Sequence, residues 1–197
     1  MNRKLFDYIA ASPSPYHAVA HSAETLRAAG FLPLSEGEDW DLTPGQGYYV
    51  TRNGSSLIAF RARRDFSGFL MTASHCDSPT FKIKENAELT GSGCRRLAVE
   101  KYGGMLMSTW MDRPLGIAGR VLLRKGSGIE SRLLDLGGAC AVIPNVAIHM
   151  NRKANDGYSW NPAVDLLPLW GSGEEKGFFR PTLAMALACR EEDILAT

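Results

Sequence analysis

A strong excess of one charge and long apolar runs are both missing from this sequence of 197 residues. Lysine and arginine number 22 against 21 aspartates and glutamates, which leaves a formal net charge of +1. Such a balance favours neither nucleic acid nor an anionic membrane surface as a partner. No apolar run approaches the roughly 20 residues of a membrane-spanning helix. With 45% hydrophobic and 22% charged residues, the composition is typical of a soluble globular protein.

Paired cysteines are also missing. The four cysteines, Cys76, Cys94, Cys140 and Cys189, are scattered and form no C-x-x-C motif. This spacing argues against a disulfide framework or a structural zinc knot and favours reduced thiols. The opening stretch MNRKLFDYIAASPSPY is interrupted by Asp7 and two prolines too early for a secretory signal. We therefore predict a cytoplasmic protein.

The first 80 or so residues show the signals of an α/β unit. Helices are predicted over 3–11 and 15–29, the second with serine and proline at its start and Gly30 at its end. The dipeptide Asn53-Gly54 lies between two β-type runs and predicts a hairpin. The apolar run at 68–74 predicts a strand buried on both faces, as in a mixed sheet flanked by helices.

His75 and Asp77 follow that predicted strand directly, in the stretch MTASHCDSP. Side chains alternate along a strand, so the two should project to the same side, at the carboxyl end where α/β sheets bind ligands. A metal-bound histidine usually donates its second ring N–H to a carboxylate, a role open to Asp77. The alternative is a hydrogen-bonded histidine and an aspartate that starts a turn before Pro79. The spacing alone leaves both open.

The sequence changes character near residue 82, where we place a domain boundary. Residues 82–197 contain short β-like runs separated by glycine turns, including AVIPNVAIHM, which ends in His149 and Met150. The glycine-rich segment at 171–178 predicts a loop. After Pro181 a final helix is predicted to run to the C-terminus. The second part is thus expected to be β-rich.

Other histidines and a thiol offer weaker candidates. Cys76 beside His75 suggests a cysteine hydrolase, but adjacent strand residues point to opposite faces. His17 and His21 share a helix face at a spacing that can hold zinc, yet they lack the glutamate of an H-E-x-x-H motif. His149 is either a satisfied histidine at a strand edge or a ligand contact made by the second domain.

Five motifs in order resemble those of the aspartyl aminopeptidase-type metallo-aminopeptidases. They are SPSPYHAV, TRNGSSLIAF, SHCDSP, EKYGGMLMSTWMDRPLGIAGRV and IPNVAIHMNR. The resemblance covers nearly the whole chain. It implies an α/β catalytic domain, beginning in residues 1–81, that is interrupted by a β-rich dimerisation domain, here 82–197 and incomplete.

The resemblance also implies a function and roles for three residues. The family removes N-terminal residues, by preference aspartate and glutamate, from peptides at a dinuclear zinc site, where cobalt or manganese can serve. It is cytoplasmic and assembles as a dodecamer built from dimers. His75 matches a metal ligand, Asp77 the catalytic aspartate that orients this ligand, and His149 a substrate-binding residue that reaches a neighbouring subunit's site.

Family chains are more than twice as long as this one, so most metal ligands are expected outside these 197 residues. The glutamates in 171–178 are not taken as catalytic. We therefore expect the chain to be a fragment that is inactive alone. The alternative is a truncated homologue that serves as a non-catalytic assembly module.

Overall fold

Two units make up the chain in the computed structural model, which describes residues 2–65 and 67–197. The first unit spans Met1–Ser78 and the second Pro79–Thr197. Both helices and sheets are present, so the predicted α/β class is confirmed. The helices are α1 (Asn2–Ala10), α2 (Pro15–Ala28) and α3 (Phe179–Leu187). Among the described residues, no helix combines the length and apolar character needed to cross a bilayer.

Helix α2 begins and ends where the sequence predicts. The Ser14 side chain accepts the His17 backbone N–H, and Pro15 occupies the first turn, where its missing N–H costs nothing. Gly30 has a φ of 82° and donates to Arg27 O, while the Phe31 N–H reaches Leu26 O. These two bonds form a Schellman motif, which requires the left-handed conformation that glycine adopts without strain.

A three-stranded sheet completes the described part of the first unit. Its strands are β1 (Leu32–Leu34), β2 (Gly47–Arg52) and β3 (Ser56–Arg61). β1 is parallel to β2, and β2 and β3 form the predicted hairpin. Asn53 and Gly54 both have positive φ at its turn, 53° and 63°. This conformation explains why asparagine and glycine occupy these positions.

The predicted strand at 68–74 is wrong. These residues form no strand, and Phe69, Leu70 and Met71 are exposed. The sheet of the first unit ends at β3, and among the described residues no strand pairs with this segment. An apolar run is compatible with a buried strand, but a strand also needs a hydrogen-bonded neighbour, which periodicity cannot supply.

The second unit has two sheets and one helix. Its strands are β4 (Thr80–Gly91), β5 (Cys94–Tyr102), β6 (Pro114–Leu115), β7 (Ala118–Lys125), β8 (Gly128–Asp135), β9 (Ala141–Val142), β10 (Leu169–Ser172) and β11 (Ile194–Ala196). One sheet has the order β4-β5-β10-β9-β6 and the other β11-β7-β8. Leu97, Leu123 and Leu183 are almost fully buried in one core cluster that joins both sheets and α3.

Two predicted elements of the second unit are shorter than expected. The strand before His149 ends near Ile143, because Pro144 has no N–H with which to continue a ladder. The last helix ends at Leu187, and Ala188 adopts a left-handed φ of 49°. The chain then turns back so that Ile194 pairs with Leu123 and is buried. Burial in the core thus overrides the helical propensity of the tail.

Helix α3 offers a matched test of the core. Leu183 is 1% exposed and Met185, two positions along the same helix, is 80% exposed. We expect Leu183→Ala to lower the free energy of unfolding by about 2–5 kcal/mol, because it leaves a cavity. Met185→Ala should change it by less than about 0.5 kcal/mol, since alanine is a good helix former. Urea unfolding followed by tryptophan fluorescence measures both, and equal losses would contradict the packing described.

The exposed segment 69–71 should bind a hydrophobic dye. A contiguous apolar strip offers a dye more area than a lone exposed side chain such as Leu106. We expect Leu70→Ser with Met71→Ser to lower dye fluorescence and light scattering of the purified chain, and Leu106→Ser to leave both unchanged. An unchanged dye signal in the double variant would show that the strip is covered in solution.

Candidate metal-ligand site

The side chains of His75 and Asp77 lie in contact, although the strand predicted to carry them is absent. His75 Nδ1 is 3.1 Å from Asp77 Oδ1. Both residues lie in the irregular segment that ends the first unit, and the chain bends at Cys76 between them. The predicted juxtaposition therefore arises in a loop and does not depend on membership of a sheet.

The geometry of this pair leaves one ring nitrogen open. With Nδ1 protonated, the ring donates to the aspartate, and Nε2 carries the lone pair that a metal requires. The His75 side chain is 92% exposed and that of Asp77 31%. The carboxylate thus orients the imidazole through Nδ1, and Nε2 remains accessible. A metal-ligating histidine commonly has this arrangement.

Within the described residues the pair is not joined by further ligands. No group of three or more histidine, cysteine, aspartate or glutamate side chains could hold a metal ion across 2–65 and 67–197. A catalytic zinc takes three protein ligands and an open position. His75 with Asp77 therefore fits one ligand of such a set together with its orienting carboxylate.

The thiol of Cys76 makes a different contact. Its Sγ donates to the Ser55 carbonyl oxygen at 3.1 Å, while the neighbouring imidazole contacts Asp77. The two side chains thus engage different partners. A cysteine hydrolase needs a base within hydrogen-bond reach of the thiol, so this geometry does not favour one.

The histidines of α2 have structural contacts. His17 Nδ1 lies 2.7 Å from Ser14 Oγ at the start of the helix. The His21 ring packs against Tyr8, with ring centroids 5.4 Å apart. These contacts place both histidines among the structural side chains of the helix.

His149 lies in an exposed turn at 148–150 and not at the end of a strand. The base of this loop is held by Asp112, whose Oδ1 accepts the Asn145 N–H at 2.8 Å. The Asp112 N–H in turn donates to Ile143 O at 2.9 Å. Asp112 has a φ of 56°, a conformation that aspartate and asparagine tolerate better than most residues. Asp112 thus holds both Ile143 and Asn145, where the chain leaves β9 for the His149 loop.

The sequence alone does not predict this role of Asp112. A signal was present, because Asp and Asn often adopt left-handed backbone and bond to nearby backbone groups. The 33-residue separation between Asp112 and Asn145, however, cannot be inferred from local pattern.

The two glutamates of the glycine-rich loop make contacts that stabilise the loop. Glu174 Oε1 accepts the Gly93 N–H at 2.8 Å, and Glu175 pairs with Arg95 at 2.8 Å. The hydrogen bond from Arg95 lowers the pKa of the Glu175 carboxyl below its usual range. These contacts hold the loop before α3.

Asp112 should control the order of the His149 loop. We expect Asp112→Ala to speed amide hydrogen exchange at Asn145 by roughly 10-fold or more, because the acceptor is lost and alanine is strained at positive φ. Asp112→Asn keeps an oxygen acceptor and tolerates that φ, so exchange should stay near the parent rate. Exchange that is equally slow in both variants would mean that Asp112 does not hold the loop.

Comparison with known proteins assigns the chain to a family. The model of the family described as "Aminopeptidase I zinc metalloprotease (M18)" matches residues 8–182. A curated relative, the "Probable M18 family aminopeptidase 2" of Pseudomonas putida (strain GB-1), is 43% identical over 201 residues. That alignment covers 100% of this chain and 47% of the relative. The chain belongs to the M18 family, and it spans about half the length of the curated relatives it matches.

Solved structures agree with this assignment. A chain in the cryo-EM structure of the Ape4 and Nbr1 complex is similar, with a TM-score of 0.87 and 33% identity. The match covers 96% of this chain and 41% of that chain. The mApe1 dodecamer of Saccharomyces cerevisiae gives a TM-score of 0.77 at 26% identity, with 99% of this chain and 46% of that chain covered.

Proposed function

We propose that this chain is the N-terminal portion of a metal-dependent aminopeptidase. The complete protein would remove N-terminal residues from peptides, with a preference for aspartate and glutamate. Membership of a zinc metalloprotease family supports the reaction class. The acidic preference and the use of two zinc ions per site, replaceable by cobalt or manganese, follow from the resemblance of the motifs.

The observation that carries this proposal is the hydrogen bond between His75 and Asp77. It orients an exposed imidazole and leaves Nε2 free, as zinc ligation requires. His75 would hold one metal ion, and Asp77 would keep the ring in the correct tautomer. Zinc bound there would supply Lewis-acid polarisation of the peptide carbonyl.

The second unit would act as the inserted dimerisation domain of a cytoplasmic homo-oligomer. Its β-rich architecture and the dodecameric state of the similar yeast protein support this assignment. The exposed loop that carries His149 would extend to a neighbouring subunit. There the imidazole would donate a hydrogen bond to the substrate carbonyl oxygen as negative charge develops on it.

Substitutions in the full-length protein separate these roles. We expect His75→Ala to abolish both metal content and turnover, because a ligand is lost. Asp77→Asn should weaken metal affinity about 10–100-fold by removing the orienting carboxylate. His149→Ala should lower turnover about 100–1000-fold with metal content unchanged. Release of N-terminal aspartate from a short peptide and metal analysis of each variant measure these effects.

His21→Ala is the matched control, since His21 lies in the same unit and its ring packs against Tyr8. Its turnover and metal content should equal those of the parent. Mixed oligomers of His75→Ala and His149→Ala subunits should regain part of the activity if His149 acts across subunits. No recovery despite proven subunit exchange would place the action of His149 within its own chain.

A second candidate function is a non-catalytic assembly module. It is favoured by the lack of a complete metal-ligand cluster among the described residues. On either hypothesis the 197-residue chain alone should release no aspartate with added zinc, cobalt or manganese. Metal-dependent turnover above a His75→Ala control would show that these residues suffice and would exclude the assembly module.

A further inference from the structure

Strand β8 lies at the margin of its sheet with one edge open. The strand order is β11-β7-β8, and β8 pairs only with β7 among the described residues. β8 covers eight residues, Gly128–Asp135, without a proline or a bulge in its register. Such a regular edge presents a row of N–H and C=O groups that can template pairing with another strand.

The turn between β7 and β8 determines which backbone N–H and C=O groups of β8 point away from β7. Lys125 pairs with Gly128 across a two-residue loop, so this pair exchanges hydrogen bonds inside the hairpin. Bonding alternates along the strand, so Glu130 and Arg132 also direct their backbone groups toward β7. Ile129, Ser131 and Leu133 therefore direct theirs to the open edge.

The sequence of β8 is complementary to itself when two copies run antiparallel about Ser131. In that register Ser131 faces its own copy, and Ile129 faces Leu133 on both sides of the axis. These are the residues whose backbone groups point outward, so the hydrogen-bonding alternation and the register agree. Glu130 then faces Arg132, also twice, in the intervening pairs where side chains approach most closely.

The side chains on both faces suit this pairing. Ile129 is 68% exposed and Leu133 is 38% exposed on one face of the sheet, where each would cover the other. On the opposite face Glu130 and Arg132 already form an ion pair at 2.9 Å within the strand. Cross-strand apolar and opposite-charge pairs are the contacts that stabilise antiparallel sheets.

We propose that β8 is an interface at which two copies of this chain pair antiparallel about a two-fold axis through Ser131. The partner is a second copy, because a two-fold contact requires a self-complementary surface and this strand provides one in charge, apolar pairs and hydrogen bonding. The β8 interface rests on the proposed role of the second unit as a dimerisation domain and is independent of the proposed peptidase chemistry.

Cysteine cross-linking tests the register. In a Cys76→Ser chain, which lacks the exposed native thiol, Ser131→Cys places two thiols across the axis. Hydrogen-bonded antiparallel pairs have Cα atoms roughly 5.5 Å apart, within the range a disulfide spans. Ile129→Cys is the matched control, since its two copies would lie four residues apart along the strand, roughly 13 Å. A chain that carries both Ile129→Cys and Leu133→Cys places the thiol at position 129 of one copy opposite the thiol at position 133 of the other.

We expect Ser131→Cys and the combined variant to form disulfide dimers under mild oxidation at least about 10-fold faster than Ile129→Cys alone. Equal rates for Ser131→Cys and Ile129→Cys, or faster linking of Ile129→Cys, would overturn the proposed register. None of these measurements depends on hydrolysis, so failure here leaves the aminopeptidase proposal standing, and the reverse also holds.

Charge reversal gives a second test that needs no cross-link. Glu130→Arg or Arg132→Glu alone places like charges opposite each other twice, and each should raise the dimer Kd roughly 10-fold in sedimentation. The double swap, Glu130→Arg with Arg132→Glu, restores opposite charges and should return the Kd to within about threefold of the parent. A double swap no better than the single variants would overturn the pairing of these residues.

Discussion

Burial of one face of α3 against both sheets is the constraint on which the second unit depends. Leu183 of α3, Leu97 of β5 and Leu123 of β7 meet in one cluster, so each sheet is held to the other through the helix. The carboxylate of Glu88 on β4 accepts the N–H groups of Gly177 and Phe179 at the start of α3. Unsatisfied N–H groups at a helix start are costly when buried, so this cap fixes where the helix enters the core.

The same packing decides which strand edges are closed. After α3 ends at Leu187, the chain returns and β11 pairs with β7, which covers one side of that strand. β8 covers the other side and leaves its own outer edge at the margin of the sheet. An interface at β8 would therefore add a neighbour to the sheet without disturbing the core, since the core side chains project from its faces and not from its edge.

The candidate functional residues differ from the core in what positions them. His75 and Asp77 meet across a bend of the chain at Cys76, so their contact joins residues only two positions apart. His149 is instead carried by an exposed loop whose base is held by the two hydrogen bonds of Asp112. The His75 imidazole and the His149 loop are both exposed, but only the contact of His75 with Asp77 is made by neighbours in sequence.

Local signals in the sequence determined α2 with its caps, the hairpin at Asn53-Gly54, the contact of His75 with Asp77, and the family. Each of these depends on residues a few positions apart, where backbone preferences and short hydrogen bonds dominate. Only the tertiary structure decided that residues 68–74 form no strand, that Pro144 ends the ladder before His149, and that Ile194 leaves the helix to pair with β7. The role of Asp112 and the open edge of β8 belong to the same group. These features depend on partners distant in sequence, and burial and hydrogen bonding to such partners outweigh local propensity.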